Sequence, residues 1–501
     1  MRTKKSLQNI FSTVILTLII GLLGFVKVRV FINGLSDDIY SLNQLFGQIL
    51  SYIAITDAGF GLILNQQLYH AFAKNDADEI NRIYSTSKRF YNIIGSVMLG
   101  LAIIISFFIE YLTKANVSSS YIQIIFLIFI LRNVIDYYFV APRYILEADQ
   151  KIYKVNILLK GTKILETIIE IGLVLLGVDY LIILLPGIAL TVGFDIIINK
   201  KIYKMYPWLK NEKTFNKKYL KGTKDIIWRK CADLLNSNTD IILISAFIDP
   251  ISVVIYTSYI YITKFITDII YMVSHSITPS FANALIKENK DKSYSIFNEL
   301  NILFLFIASF VCIMLYGFLS KLIVLWIGEK YLVGNLVLFL FCLSTFQIIG
   351  EKPIQMLINC EGLFKETKIA TVLEAIINLV LSLILIQKFK IMGVLIGTIV
   401  SKLITSFLQN PCYIYKNIFN KNALIYFAKY FIVIGMNIIF VVLLNILNLN
   451  VNGVISFILN VSISSIVVGA ILTIIYYISF KSFRKLVARI IEFIKVKGHY
   501  V

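Results

Sequence analysis

Charge is what this sequence has least of. Of its 501 residues 15% are Asp, Glu, Lys or Arg and 58% are hydrophobic, with a mean hydropathy of +0.81. Soluble domains carry roughly 25% charged residues, so this chain cannot cover a globular surface with polar groups. Paired cysteines are missing too. Cys231, Cys312, Cys342, Cys360 and Cys412 lie in or beside apolar runs and none forms a CxxC, so neither a metal nor a disulfide framework is indicated, and they read as small hydrophobes for helix packing. No GxxxxGK[ST] occurs, so the chain has no phosphate loop of its own. No polar stretch is longer than 200–224, which leaves no room for a soluble catalytic domain or a large outer loop.

What is present is a series of apolar runs. A run of roughly 20 apolar residues crosses the hydrocarbon core at about 1.5 Å per residue. The chain reads as an all-α polytopic membrane protein of fourteen spans, near 10–32, 41–65, 90–112, 120–142, 155–177, 179–199, 226–248, 251–277, 295–318, 333–360, 367–387, 391–415, 423–447 and 454–480. The first run follows MRTKK but exceeds the roughly 7–15 residues of a signal-peptide core, and no small-residue cleavage pattern follows it.

The loops alternate in charge. Arg2, Lys4 and Lys5, then Lys74, Arg82, Lys88 and Arg89, then Arg143, Lys151 and Lys154 begin one set. It continues through 200–224, Lys287–Lys292, Lys365–Lys368, Lys416–Lys421 and the tail 481–501. The opposite set is short and poor in basic residues (34–38, 177–179, 249–250 and 448–453), with Lys114, Lys321, Lys330, Lys388 and Lys390 as exceptions that do not overturn the asymmetry. The positive-inside rule then puts both termini in the cytoplasm. The net charge of +19 belongs to this asymmetry and not to nucleic-acid binding. The stretch 200–224, with nine lysines and one glutamate, follows six spans, so spans 7–12 can repeat spans 1–6 in parallel orientation. The expected organisation is an N-lobe (1–199), a basic cytoplasmic linker (200–224), a C-lobe (225–420), a helix pair (421–480) and a basic tail (481–501).

Ionisable residues inside spans are costly and by default face a cavity or a partner. Span 2 carries Asp57 in SYIAITDAGFG, where Gly59 and Gly61 permit a local break that the carboxylate shapes or caps. Span 4 carries Arg132 and Asp136 at pairing distance on one helix face. Span 5 carries Asn156, Lys160, Lys163, Thr167 and Glu170 at 4-3-4-3 spacing, with Glu166 adjacent; Glu166 and Glu170 form a like-charge pair expected to hold a proton. Span 7 offers Arg229, Asp233, Asn236 and Asp240; span 8 offers Tyr261, Lys264, Asp268, Tyr271 and His275. Span 10, interrupted by Gly350 and Pro353, places Gln347, Glu351 and Gln355 on one side. Such stripes cannot face lipid and are expected to line a hydrated cavity of mixed sign.

Several stretches resemble a known family. SYIAITDAGFGLILNQQLYHAFAKND (51–76) is similar to the second-span signature of Wzx-type polysaccharide flippases, LLNSNTDIILIS (234–245) to their seventh span, and VLWIGEKY (324–331) to their outer loop before span 10. These flippases are grouped with the lipid II flippase MurJ and the MATE transporters in the MOP exporter superfamily. The resemblance implies two six-helix lobes around a central cavity, a bacterial cytoplasmic-membrane location, and no enzymatic activity. It implies a substrate of undecaprenyl-diphosphate-linked oligosaccharide (O-antigen, capsule or a related repeat unit) moved from the inner to the outer leaflet, in company with other polysaccharide assembly proteins. GFVKVRVF (24–31) matches the end of the family's span 1, so Lys27 and Arg29 inherit candidacy as diphosphate ligands, although lysine lacks arginine's bidentate fork.

The expected substrate site is therefore Lys27, Arg29, Arg132, Lys160, Lys264 and Gln347. The expected cavity or ion-coupling carboxylates are Asp57, Asp136, Glu166, Glu170, Asp240, Asp268 and Glu351. No cofactor or metal is expected beyond a possible coupling H⁺ or Na⁺. The competing readings are a MATE-like multidrug/cation antiporter, which would want an acid-dominated cavity, and a membrane-embedded glycan polymerase or transferase, which would want catalytic residues on an outer loop.

Overall fold

A computed structural model describes residues 2–57, 60–149, 151–212, 216–220, 239–447 and 453–498. Among them every regular element is a helix. The chain divides into two compact units, 1–254 and 255–501. The expected lobe boundary at 200–224 falls partly on residues outside the description.

Unit 1 begins with α1 (Arg2–Gly34) and α2 (Asp37–Ile53), the latter capped by Ser36, whose Oγ accepts from the Ile39 amide at 3.2 Å. A 3₁₀ turn, Ala54–Asp57, separates α2 from α3 (Phe60–Ala73), so the break falls at the DAGFG stretch. Next come α4 (Ala77–Ser106), capped by Asp76, and α5 (Ser119–Val134). α5 tightens into a 3₁₀ turn, Ile135–Tyr138, before α6 (Ala141–Ala148), which has Pro142 in its first turn. α7 (Tyr153–Leu175), α8 (Tyr180–Met205) and the described part of α9 (239–247) complete the unit. α7 packs against α1 and α8, and α8 also against α5.

The start of the basic linker is pinned to unit 1. Asn81 Nδ2 donates to the Trp208 carbonyl (3.3 Å) and its Oδ1 accepts from the Lys210 amide (2.9 Å). Ser85 Oγ accepts from the Glu212 amide (2.7 Å), and Tyr219 donates to Glu79 Oε1 (2.8 Å). Burial and that carboxylate push the Tyr219 phenol up to about 12.

The division between units falls within α10 (Pro250–Lys287). α11 (Lys290–Trp326) is the central helix of unit 2 and touches α12 (Asn335–Gly350), α13 (Lys352–Glu361), α17 (Leu424–Leu447), α18 (Gly453–Ser479) and α19 (Lys481–Gly498). Its most apolar window is 61% buried, whereas that of α18 is 11% buried, as a lipid-facing helix requires. α12 and α13 meet at Glu351 with Pro353 in the next turn, and Gly362, at φ 67°, ends α13 in the left-handed conformation glycine tolerates. α14 (Phe364–Phe389), α15 (Ile391–Ile404) and α16 (Ser406–Asn417) complete the unit.

Among the described residues ten helices are long and apolar enough to cross a membrane. The other four expected spans differ for separate reasons. Span 1 lies in α1, whose side chains before residue 16 are outside the description. Span 2 is broken between α2 and α3, span 5 (α7) carries four charges between Lys160 and Glu170, and span 7 falls largely on 221–238, outside the description.

Candidate functional site

The 3-4 spacing on α7 places Lys163, Glu166 and Glu170 along one helical face. That face meets α1 and α5. Arg132, from the last turn of α5, holds Glu166 with Nη2 and Glu170 Oε1 with Nη1 (2.6 Å). Lys27 of α1 takes Glu170 Oε2 at 2.6 Å, and Lys163 takes Glu166 Oε2 at 2.9 Å. Arg132, Glu166 and Glu170 are buried, with side chains 9%, 7% and 2% exposed. α8 makes room by placing Gly187 there: a Cβ at that position would strike the Arg132 side chain and Glu166 Oε1. Every carboxylate oxygen thus has a cation, and three cations face two carboxylates, a net charge of +1.

Arg132 and Asp136 do not pair, which corrects the expectation from their spacing. The α-helix ends at Val134 and Asp136 lies in a 3₁₀ turn, where three residues per turn replace 3.6 and the i,i+4 alignment is lost. Asp136 pairs instead with Arg143 of α6, Nη2 to Oδ1 at 2.7 Å and Nη1 to Oδ2 at 3.2 Å. Arg143 Nη2 also holds Asp195 of α8. Here one cation faces two carboxylates, a net charge of −1. The like-charge pair expected at Glu166 and Glu170 is corrected as well, because Arg132 bridges the two.

The remaining expected residues disperse. Lys160 donates to Thr17 of α1 (2.6 Å). Arg29 is exposed, two positions beyond Lys27 and so off its face. Asp57 closes the 3₁₀ turn and acts electrostatically on Tyr91, Tyr137 and Tyr144; the stacked Tyr91 and Tyr144 rings are joined by a 2.6 Å hydroxyl hydrogen bond. Its expected capping role touches Ala58 and Gly59, outside the description. Asp240 is buried on α9, beside Thr239, which shares a 2.6 Å hydrogen bond with Tyr52. Arg229, Asp233 and Asn236 lie outside the described residues.

In unit 2, Lys264 and Asp268 are both exposed on α10, and no ion pair joins them. Gln347 is buried, its Nε2 directed at the Ile399 carbonyl (3.5 Å). Glu351, at the α12–α13 break, pairs with Lys402 of α15 at 3.4 Å. Glu374 of α14, which accepts from Ser406, adds a second carboxylate near Lys402, and Lys352 adds a second cation, seated over the Tyr271 ring at 4.9 Å. Asp268 of α10 also acts on Lys352, so two cations face three carboxylates here.

Sequence reasoning missed Asp195, Glu374 and Lys402, and treated Arg143 as a loop charge. The signal was available: Asp195, Glu374 and Lys402 are ionisable residues inside apolar runs, the criterion that singled out the others.

No protein-family model matches the chain, and no curated protein matches its sequence. Solved structures do. A lipid II flippase MurJ in an inward closed conformation is 18% identical with a TM-score of 0.67, over 92% of this chain and 98% of that one. An inward-facing multidrug resistance MATE transporter of the MOP superfamily is 14% identical with a TM-score of 0.58, over 78% of this chain and 93% of that one. A MATE in complex with MaD3S is 13% identical with a TM-score of 0.51, over 78% and 91%. The chain is a multi-pass helical membrane protein with the fold that MurJ and the MATE transporters of the MOP superfamily share.

Proposed function

We propose that this chain is a flippase that moves undecaprenyl-diphosphate-linked oligosaccharide from the inner to the outer leaflet of a bacterial cytoplasmic membrane, with both termini cytoplasmic. The observation that carries the reading is the cation excess of the Lys27–Arg132–Lys163 cluster where α1, α5 and α7 meet. An anionic headgroup entering there satisfies the surplus positive charge. It also competes with Glu166 and Glu170 for the Arg132 fork, which suits phosphate oxygens as well as carboxylates. Arg29, Lys160 and Lys264 serve as additional cations along the route. Moving about two negative charges outward down an inside-negative potential releases roughly 4–5 kcal/mol per 100 mV, enough to bias transport without nucleotide hydrolysis. The likeness in fold to MurJ agrees with a lipid-linked substrate.

The second reading is a MATE-like multidrug/cation antiporter, favoured by the MATE likeness and by the acid excess around Arg143. Purified protein in vesicles separates the two. The expected result is translocation of undecaprenyl-diphosphate-linked oligosaccharide, scored by outer accessibility of its glycan, and its loss in Arg132→Ala. Vesicles that expel cationic dyes yet leave the glycan on its original side would overturn the flippase reading.

A further inference from the structure

Two buried charge networks share unit 1, and their balance differs in sign. In the Arg132 cluster all four carboxylate oxygens are held by cations. In the Asp136–Arg143–Asp195 triad a single guanidinium serves two carboxylates. The Asp195 side chain is 5% exposed, and its Oδ2 is buried with no hydrogen-bond donor. A buried carboxylate oxygen without a donor, beside a second carboxylate, carries an uncompensated negative charge of the kind that proteins neutralise.

We propose that this triad binds one proton on the Asp195 carboxyl, and that this proton is the ion coupled to transport; the coupling clause rests on the transport reading given above. On protonation Asp195 Oδ2 gains the hydrogen, Arg143 remains paired with Asp136, and the triad becomes neutral. A proton fits where a metal cation does not. The guanidinium already occupies the face shared by the two carboxylates, and one lone pair suffices for a proton. Asp136, 39% exposed, is the more accessible carboxylate of the triad.

Several elements packed against α8 carry charged or titratable groups. α5 offers Arg132, committed to Glu166 and Glu170, and Tyr121, bonded to Asp179 (2.8 Å); the following turn offers Asp136, Tyr137 and Tyr138. α6 offers Arg143, Tyr144 and Glu147, the last bonded to Asn65 (2.7 Å). α7 offers Tyr153, Lys154, Lys160, Lys163, Glu166 and Glu170. Of these, Arg143 and Asp136 act on Asp195. The triad is linked to the cationic cluster twice over. Arg132 and Asp136 stand one turn apart on one segment, and α8 presents Gly187 to the cluster and Asp195 to the triad. A change of charge at Asp195 therefore acts on Arg132 through two shared elements.

Infrared difference spectra of the purified full chain, taken in sodium-free buffer between about pH 5 and about pH 8, test the site without any substrate. The expected result is a protonated-carboxyl band in the wild type that is lost in Asp195→Asn. It should also be lost in Asp136→Asn, where Asp195 keeps Arg143 to itself and stays ionised; this second variant carries the test if the first does not fold. A band that survives in both variants overturns the proton site, and a band that added Na⁺ removes at fixed pH reassigns the site to a metal cation. For the coupling, an imposed pH gradient should accelerate transport by wild-type vesicles and not by Asp136→Asn vesicles; equal acceleration of both overturns it. A wild type that shows the band and moves no lipid-linked oligosaccharide would overturn the proposed function and leave the proton site standing.

Discussion

Both units bury charge beside a broken helix, yet they arrange it differently. In unit 1 the broken span, α5 to α6, contributes Arg132, Asp136 and Arg143, while α7 and α8 supply Glu166, Glu170 and Asp195. In unit 2 the broken span, α12 to α13, contributes Glu351 and Lys352, while Glu374 comes from α14 and Lys402 from α15. The span order is the same in each case: fourth, fifth and sixth against tenth, eleventh and twelfth. The difference teaches where work can be done. The group of unit 2 gathers both signs around one break, whereas unit 1 separates a positive excess from a negative one along α5 and α8.

The largest expected effect is at Arg132. Arg132→Ala leaves two buried carboxylates sharing Lys27 and Lys163, and removing one member of a buried ion pair costs about 3–5 kcal/mol. Lys402→Ala should cost less, since its contact to Glu351 is longer, at 3.4 Å, and Lys352 remains nearby. Unfolding midpoints of the two variants check this ordering; a greater loss at Lys402 would reverse the comparison.

A smaller effect is expected where no charge changes. Gly187→Val drives methyl groups into Arg132 and Glu166 and should cost about 1–3 kcal/mol by overpacking. Gly193→Ala on the same helix meets nothing within 4 Å and serves as the control. Equal unfolding midpoints for these two variants would show that the cluster does not depend on the close approach of α8.

The smallest effect concerns the linker clamp of unit 1. Tyr219→Phe loses one hydrogen bond to Glu79, about 1 kcal/mol. The Tyr219 phenol is raised to about 12 from 10.0, so the folded state holds its proton more tightly than the unfolded chain. Its contribution is fully present below about pH 10 and is lost as the pH rises through about 12. Tyr219→Phe should flatten this alkaline part of the stability profile; an unchanged slope would assign the alkaline loss to other groups.

The fold was legible because membrane spans announce themselves by length and apolarity, and because Gly and Pro mark breaks such as Gly350–Pro353. The membership of the site was legible in part, since Arg132, Glu166, Glu170 and Glu351 stand out as charges within apolar runs. Their partners were not. Helical spacing proposes a neighbour on the same helix, as for Arg132 with Asp136, but the real partner is set by which helices pack together, and a 3₁₀ turn is enough to undo the local register. Lys27 was assigned to substrate on resemblance, and its ion pair with Glu170, 143 positions away, has no trace in local sequence.

α18 carries a consequence of another kind. Its 27 residues make it about 40 Å long, against a hydrocarbon core of about 30 Å. With 11% of its apolar window buried, it is held by a few side chains packed on α11, among them Tyr476 bonded to Ser309 and Phe457 against Phe318. Hydrophobic mismatch adds to this packing in setting its tilt, at a fraction of a kcal/mol for each ångström of difference. Thinning the bilayer should lean α18 further over, while α11, 61% buried, holds its orientation. Membrane thickness is thus a variable that unit 2 registers first at its outermost span.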